Sequence, residues 1–259
     1  GLRNCTHISE DKKYTPKDER TVIFITHMEH HSNHTSWIET NAKVVILDPD
    51  DENLVNKDEL IKQLEIHKDY DLKIGSFIGG SNVTGVIPPI YEMAEIMHTY
   101  GGVAMVDFAG SAPYIDINMH PVNPLQCLDA IFFSPHKFLG GPGSSGVMIF
   151  NSNLYKIEVP DKPGGGTVEW TDPWGGYKYF DDIELREDGG TPGFLQAIRA
   201  ALAIKLKDQM NTGLIAQRKE ELIEIAFEGL TKVKGIHILA ENVKKRLGIM
   251  TFWFEHIHY

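Results

Sequence analysis

The sequence is poor in cysteine, with only Cys5 and Cys127 among 259 residues. Two cysteines without a CxxC spacing cannot form the disulfide framework of a small secreted domain. Such scarcity is typical of proteins in a reducing compartment. We therefore expect a cytoplasmic protein whose fold depends on an apolar core.

Long apolar runs and an excess of positive charge are also missing. No run reaches the roughly 18 residues that a membrane span requires, and the first 20 residues are too polar for a secretory signal. The chain has 25 Lys and Arg against 36 Asp and Glu, a net charge of −11. Because nucleic-acid binding needs a basic face, neither a nucleic acid nor a membrane is expected as a partner.

Six short β-branched and apolar runs have the pattern of strands. Several are apolar throughout, as strands of a parallel sheet covered on both faces should be. A helical pattern over 88–102 begins with two prolines and ends with two glycines, which are helix start and stop signals. This alternation predicts an α/β fold with a mostly parallel sheet. The predicted strands are 22–26, 43–48, 72–79, 102–107, 129–134 and 146–150.

The second half of the chain has a different organisation. Residues 151–191 are rich in Gly, Pro and aromatic residues without periodicity, which predicts a long functional loop. Two helices are predicted after it, over 192–210 and 213–232, and two strand-like runs follow. We therefore expect a large domain over 1–232 and the beginning of a small α+β domain over 233–259. The chain begins without methionine and stops in an apolar alternating run, so we expect a fragment.

A cluster of histidines offers one interpretation of function. His27, Glu29, His30, His31 and His34 lie within THMEHHSNH. If this stretch were helical, His27 and His31, or His30 and His34, would share a face. Histidine and glutamate are common zinc ligands. A zinc-binding hydrolase or binding module is therefore one hypothesis.

Polar residues at the ends of predicted strands offer a second interpretation of function. Parallel sheets bind ligands beyond the carboxyl ends of their strands. Six residues with chemical capability follow or end four of the predicted strands, namely His30, Asn82, Asp107, Ser134, His136 and Lys137. Asp107 could equally be a helix cap or turn residue, and Lys137 an ordinary surface lysine.

The stretch SPHKFLGGPGSSG favours the second interpretation. It combines a hydroxyl, an imidazole and an amine in four residues, and its glycines allow close approach of the backbone to a ligand. It lacks the GK[ST] ending of a P-loop, which disfavours a nucleoside triphosphate. A ligand that needs an amine, an acid and a phosphate-sized pocket is a phosphorylated aldehyde.

These motifs give the chain a resemblance to a known family. HMEHHSN, SNVTGVIPPI, VDFAGSAP, SPHKFLGGPGSSGV, GGGT and DGGTPG occur in the order found in class V aminotransferases. The family comprises fold-type I enzymes that use pyridoxal 5'-phosphate (PLP) and includes cysteine desulfurases and selenocysteine lyases. The resemblance implies a three-layer large domain, PLP as cofactor, an amino-acid substrate and a homodimer. Cysteine desulfurase is the leading activity, and an aminotransferase or other PLP lyase is the alternative.

The resemblance also implies roles for individual residues and no metal ligand. Lys137 matches the lysine that forms a Schiff base with the cofactor, for which an amine needs a lowered pKa. Asp107 matches the aspartate that pairs with the pyridine nitrogen and so maintains the ring as an electron sink. His30 matches the imidazole that stacks on the ring. Lys137 and His30 are thus the expected catalytic residues.

The remaining roles concern the cofactor's oxygens. Asn82 resembles the residue near the phenolic oxygen, and Ser134 and His136 resemble phosphate ligands. Thr191 matches a threonine that reaches the phosphate across a dimer interface. If so, the loop 151–191 lies at a two-fold interface.

Aromatic residues of that loop bear on the dimer. Trp170, Trp174, Tyr177 and Tyr179 are the kind of apolar anchor that interfaces favour, but they could instead cover the protein's own core. Both interpretations are open at this stage.

The chain departs from the family pattern in three ways. The usual D-G-A-Q is here D-F-A-G, so Gly110 replaces a glutamine that contacts the cofactor. A glycine and threonine turn that cups the phosphate is absent. An arginine for the substrate carboxylate and the nucleophilic cysteine of desulfurases are expected beyond Tyr259, since Cys5 and Cys127 match neither position. We therefore expect little turnover from this chain alone.

Overall fold

The structure, a computed structural model, describes residues 18–257. Its centre is a six-stranded sheet in the order β2-β1-β3-β4-β5-β6. Neighbouring strands are parallel except for the antiparallel pair β5 and β6, so the prediction of a mostly parallel α/β fold is confirmed. The strands are β1 (Asp18–Thr26), β2 (Ala42–Leu47), β3 (Leu72–Ile78), β4 (Val103–Asp107), β5 (Ala130–Phe133) and β6 (Val147–Phe150).

Six α-helices and two small sheets accompany it in the described part of the chain. The helices are α1 (His31–Ile38), α2 (Lys57–Ile66), α3 (Ile90–Thr99), α4 (Ile183–Glu187), α5 (Phe194–Met210) and α6 (Thr212–Leu230). The small sheets pair β7 (Val168–Thr171) with β8 (Tyr177–Tyr179), and β9 (Ile236–Ile238) with β10 (Phe252–Phe254). The two long helices predicted near the end of the chain correspond to α5 and α6 and are confirmed.

Side-chain alternation along β1 separates two apolar layers. Val22 and Phe24 belong to the main core, which α2 and α3 cover. Ile23 and Ile25 point to the opposite face and pack with Trp37 of α1. Successive side chains of a strand point to opposite faces, so a strand that is apolar throughout is buried on both sides. The predicted three-layer arrangement is confirmed.

Helix α3 shows how the main core is built. Its buried residues Ile90, Met93, Ala94 and Met97 recur at helical spacing, which places them on one face toward the sheet. The helix ends where Gly101 adopts a φ of +68° and the N–H of Gly102 donates to the carbonyl of Met97. A left-handed residue of this kind is a common helix terminator.

The side of the sheet on which successive strands are added changes at β1. The chain passes from β1 outward to β2, then returns to form β3 on the other side of β1. Open parallel sheets bind ligands in the crevice at such a reversal, beyond the carboxyl ends of the strands. Polar residues after β1 and β3 therefore lie beside a ready-made cleft.

The prediction of a single long loop over 151–191 is wrong. This region contains the hairpin of β7 and β8 and the short helix α4. The hairpin turn is organised by Asp172, whose Oδ1 accepts hydrogen bonds from the N–H groups of Trp174 (2.8 Å) and Gly176 (2.9 Å). An aspartate that bonds nearby backbone stabilises a turn without any apolar periodicity, and for that reason the pattern was not visible.

The end of the chain forms a separate small sheet. β9 and β10 are antiparallel, and Ile238 packs against Ile223 and Phe227 of α6. The two strand-like runs predicted here are confirmed, whereas the assignment of 233–259 to a second domain stays a prediction. None of the helices in the described part of the chain is both long and apolar enough to cross a bilayer.

Candidate active site

A cavity of about 770 Å³ opens at the carboxyl ends of β3, β4 and β5. It lies at the edge of the sheet where the sequence places the candidate residues. Six of the seven predicted site residues line it, namely His30, Asn82, Asp107, Ser134, His136 and Lys137. Thr191 does not line it and is exposed to solvent before α5.

Asp107 is a buried carboxylate at the end of β4. Its Oδ1 accepts a hydrogen bond from the N–H of Ala109 (2.8 Å), and no salt bridge joins it to another described residue. Burial raises the pKa of Asp107, although the Ala109 hydrogen bond and the nearby Lys137 and His30 lower it. A buried carboxylate beside a cavity and without a paired cation is suited to a cationic ligand group.

His30 is held as a neutral imidazole at the N-terminus of α1. The N–H of Ser32 donates to its Nδ1 (3.2 Å), so in the neutral ring the proton lies on Nε2. Burial lowers the pKa of His30, and the nearby His31 and Lys137 lower it further, against the opposite effect of Asp107. The cap therefore determines both the tautomer and the orientation of the ring.

The histidine cluster does not form the helical face that a zinc site would need. Helix α1 begins at His31, so His27 lies outside it and its Nε2 contacts the carbonyl oxygen of Asn53 (3.1 Å). His27 and His31 therefore do not share a helical face, which was the condition for the zinc hypothesis at that pair. Within residues 18–257, no three His, Cys, Asp or Glu side chains form a group that could hold a metal ion.

Lys137 ends a short 3-10 turn, Pro135–Lys137, that follows β5. The backbone N–H of Lys137 donates to the carbonyl of Ser134 (3.0 Å), and the N–H of Phe138 donates to that of Pro135 (2.9 Å). Phe138 is buried and anchors the turn. The exposed lysine lines the main cavity and also two adjoining cavities of about 480 and 780 Å³. Its amine is therefore accessible from several directions.

Gly141 is packed directly against this turn. A Cβ at this position would lie 1.8 Å from the carbonyl oxygen of Pro135, a distance that no side chain can adopt without a backbone shift. The glycine therefore allows the chain to pass beneath the Lys137 turn. Gly146 offers a contrast, because it also lines the cavity but has no atom within 4 Å of a built Cβ.

We expect Gly141→Ala to lower the free energy of unfolding by about 1–3 kcal/mol, the usual cost of overpacking. The change should also displace the Lys137 turn. Gly146→Ala, the matched control, should alter stability by no more than about 0.5 kcal/mol. Urea denaturation followed by circular dichroism measures both. Equal stability of the two variants would contradict the packing described here.

Gly110, which replaces the family's glutamine, lies in a place with little room for a side chain. A Cβ on Gly110 would approach the carbonyl oxygen of Gly80 to 3.2 Å, which is tighter than most real Cβ contacts. Gly110 lines the cavity, so the missing side chain leaves space beside Asn82. A glutamine here would require a small movement of the Gly80 backbone.

Glu29 does not line the cavity but holds the elements around it, a role that its place among the possible zinc ligands did not predict. Its Oε1 accepts hydrogen bonds from Thr26 Oγ1 (2.7 Å) and from the N–H of Ile78 (2.9 Å). Its Oε2 accepts one from Asn33 Nδ2 (2.7 Å). The carboxylate thus connects the ends of β1 and β3 to α1. The only sequence signal was its position between a strand and a helix.

Comparison with known proteins identifies the family. The profile of the family described as Aminotransferase class-V matches residues 7–259. The chain belongs to the class V aminotransferase family. Enzymes of this family are PLP-dependent, and the class V chain places its Lys137, Asp107 and His30 around one cavity.

Curated relatives of this class V chain are named as cysteine desulfurases. A probable cysteine desulfurase of Halalkalibacterium halodurans is 31% identical over 242 residues, which cover 91% of this chain and 56% of the relative. Probable cysteine desulfurase 2 of Mycobacterium leprae is 27% identical over 99% of this chain and 60% of its own length. The chain thus spans less than two thirds of the length of these relatives.

Solved structures agree with the class V assignment. The apo cysteine desulfurase of Thermococcus onnurineus NA1 superposes with a TM-score of 0.77 and 28% identity, covering 92% of this chain and 58% of that one. The cysteine desulfurase CsdA of Escherichia coli gives 0.77 at 25% identity, covering 94% and 58%. The class V chain therefore has the fold-type I architecture that its sequence predicted.

Proposed function

We propose that the cavity binds PLP and that the whole protein is a cysteine desulfurase-like enzyme acting on an amino acid. The observation that carries the proposal is the convergence of Asp107, His30 and Lys137 around one cavity. The names of the curated relatives and of the matching solved structures favour desulfuration over the alternatives within the family.

The residues present fit the cofactor. A cavity of about 770 Å³ lies within the usual range for small-molecule sites. It offers a buried carboxylate without a paired cation, a neutral imidazole and an exposed primary amine. Ser134 and His136 add a hydroxyl and a second imidazole at the same edge. When bound, PLP supplies an electron sink for a carbanion at the substrate's Cα.

Each of these groups has a distinct task in the proposed reaction. The Asp107 carboxylate would accept a charge-assisted hydrogen bond from the protonated pyridine nitrogen. The neutral His30 ring would cover one face of the cofactor and exclude water. The Lys137 amine would hold the cofactor through its aldehyde carbon, then accept and return the proton at the substrate's Cα.

Ser134, His136 and Asn82 complete the proposed cofactor site. The first two would bind the phosphate through an O–H and a ring N–H, and the Asn82 amide would lie near the phenolic oxygen. Thr191 is exposed and outside the cavity, so its proposed phosphate contact requires a second copy of the chain.

The surface of the β7–β8 hairpin supports a homodimer. Trp170, Trp174 and Tyr177 are 50%, 90% and 59% exposed, which favours an interface over a place in the chain's own core, whereas Tyr179 is half-buried. Exposed aromatic anchors are typical of interfaces. We propose that this hairpin and Thr191 meet the partner subunit. Analytical ultracentrifugation should show a dimer that Trp174→Ser weakens, and a monomer at high concentration would count against it.

The activity proposal is tested with the whole protein and cysteine. With a thiol reductant and no keto acid, a desulfurase forms alanine and sulfide in equal amounts, and Lys137→Ala should abolish both. An aminotransferase instead requires a keto acid as amino-group acceptor. Turnover that depends on a keto acid would therefore show that the activity is transamination and not desulfuration.

A cytoplasmic location is proposed from the cysteine content alone. Cell fractionation with a tagged whole protein tests it, and the soluble cytoplasmic fraction is the expected result. Recovery in an oxidising compartment would contradict it.

A further inference from the structure

Glu29 joins three elements around the site through one carboxylate. It accepts hydrogen bonds from Thr26 Oγ1 (2.7 Å) and the Thr26 N–H (3.3 Å) at the end of β1. It accepts others from the Ile78 N–H (2.9 Å) at the end of β3 and from Asn33 Nδ2 (2.7 Å) in α1. No salt bridge joins Glu29 to another described residue, so these donors alone stabilise its charge.

Asn33 transmits this connection and has only one possible orientation. Its Oδ1 accepts from Ser76 Oγ (2.8 Å) and from Trp37 Nε1 (3.0 Å). Its Nδ2 donates to Glu29 and to the carbonyl of Ser76 (3.3 Å). Exchanging the amide oxygen and nitrogen would set donor against donor. The buried Asn33 and Ser76 therefore attach α1 to β3 in a defined register.

His30 lies between this network and the cavity. It directly follows Glu29, caps α1 and lines the cavity. We propose that Glu29 is the positioning residue for His30, holding the N-terminus of α1 against the ends of β1 and β3 so that the imidazole faces the cavity in one orientation. The value of this position for catalysis rests on the proposed function, in which His30 covers the cofactor ring.

The ionised form of Glu29 is the one that fits its surroundings. All four contacts are donors, so they match a carboxylate that only accepts, whereas the O–H of a protonated carboxyl group would find no acceptor unless the Thr26 hydroxyl rotated. Burial raises the pKa of Glu29 to about 7, against the hydrogen bonds of Asn33, Thr26 and Ile78 that lower it.

The packed elements present no charged partner to the Glu29 carboxylate. β1 and β3 contribute only Thr26 and the backbone of Ile78, and α1 contributes Asn33. The titratable groups nearby are the histidines at 27, 30, 31 and 34 and, across the cavity, Asp107, none of which bonds to the carboxylate. Protonation of Glu29 near neutral pH should therefore loosen α1 and release the His30 ring from its single orientation.

Two-dimensional NMR of the cofactor-free protein tests this positioning role. The Trp37 indole N–H reports on Asn33, and the His30 ring nitrogens report the tautomer; Trp37→Phe and His30→Asn assign the signals. In the wild type both should change together with a midpoint near 7. Glu29→Gln should abolish this transition, because its amide always places one donor against another. The neutral His30 ring should then show mixed tautomers at every pH above its own pKa.

A control and a second readout make the test specific. Glu65→Gln removes an exposed carboxylate that accepts a hydrogen bond from Tyr100, and it should retain the wild-type transition. PLP affinity should fall roughly tenfold in Glu29→Gln, the equivalent of one charge-assisted hydrogen bond, and remain unchanged in Glu65→Gln. If the wild type shows the transition but binds no PLP, the proposed function fails while the positioning role is supported.

Two results would overturn the proposal. One is a His30 tautomer and midpoint that are unchanged in Glu29→Gln. The other is a shifted Trp37 signal with an unchanged His30 ring, which would limit Glu29 to supporting the helix. If Glu29→Gln does not fold, Glu29→Asp serves instead, since its shorter side chain cannot reach Asn33 and Ile78 together. A wild-type His30 signal in that variant would equally overturn the proposal.

Discussion

Asp107→Asn should lower the affinity for PLP by about a hundredfold, the scale of a lost charge-assisted contact in a buried site. The same change should make the cofactor-free protein more stable at neutral pH. The two effects have opposite signs because the Asp107 charge is useful only when a cation lies beside it. Asparagine retains an oxygen for the Ala109 N–H, so the local turn is preserved.

The pH dependence of stability follows from the direction of the pKa shift. Burial raises the folded-state pKa of Asp107 above its usual value, so the folded state binds the proton more tightly than the unfolded state. Its contribution to stability is therefore complete below the unfolded-state pKa and is lost as pH rises through the folded-state pKa. Asp107→Asn should remove this loss of stability with rising pH.

Absorbance titration with PLP and urea denaturation at several pH values measure the two effects of Asp107→Asn. Asp208→Asn, which changes an exposed aspartate of α5, should leave both unchanged. If Asp107→Asn bound PLP as well as the wild type, or destabilised the cofactor-free protein, Asp107 would be a structural turn residue.

Arg246→Met should lower the free energy of unfolding by about 3 kcal/mol, because each buried carbonyl group that loses its donor costs roughly 1–3 kcal/mol. The guanidinium is completely buried and lies 5.1 Å from the centre of the Phe227 ring. It donates to the carbonyls of Thr84 and Leu239 at 2.9 and 3.1 Å, and also to those of Val243 and Ala240. Methionine has a similar length but no donor, so the carbonyls of Thr84, Leu239 and Val243 would lose the guanidinium, whereas that of Ala240 would keep the N–H of Val243 (3.0 Å).

This contact links the last part of the chain to the site. Thr84 belongs to the turn that carries Asn82, and the N–H of Leu247 donates to the carbonyl of Gly85 (2.7 Å) in the same segment. Lys245→Met, a neighbouring exposed change, should have little effect on urea denaturation. Equal destabilisation by the two substitutions would show that Arg246 does not connect these segments.

The strands of the main sheet were predictable because each carries its own signal. Residues 22–25 are buried on both faces, so the run is apolar without alternation, as in other covered parallel sheets. Placement of Asp107 and Lys137 at one edge followed from strand direction alone. The order of the strands could not be predicted in this way. The placement of β2 and β3 on opposite sides of β1 depends on helix packing between distant segments.

The parts that were missed depend on polar contacts. Helix α1 has Asn33 as its only buried residue, so its periodicity is weak and its formation depends on Ser76 in β3. The β7–β8 turn depends on Asp172 rather than on an apolar pattern. Glu29 acquires its role from Ile78, which is 49 residues away in the chain. Sequence spacing cannot reveal a partner at that distance.

Lys137 is not the only amine near the site, in the described part of the chain, that could react with an aldehyde. Lys137 lines the main cavity. Lys207 lines an adjoining cavity, donates to the carbonyl of Ile115 (2.6 Å), and has a pKa lowered by burial. A low pKa favours reaction with an aldehyde, so Lys207 is the strongest competitor for the role given to Lys137.

Borohydride reduction of the protein with PLP, followed by peptide mass spectrometry, tests the central claim most directly. A single phosphopyridoxyl group should be found on the peptide that contains SPHK, at Lys137. It should persist in Lys207→Ala and disappear in Lys137→Ala. A label at Lys207, or one spread over many lysines and unchanged in Lys137→Ala, would contradict the assignment of this cavity as the cofactor site.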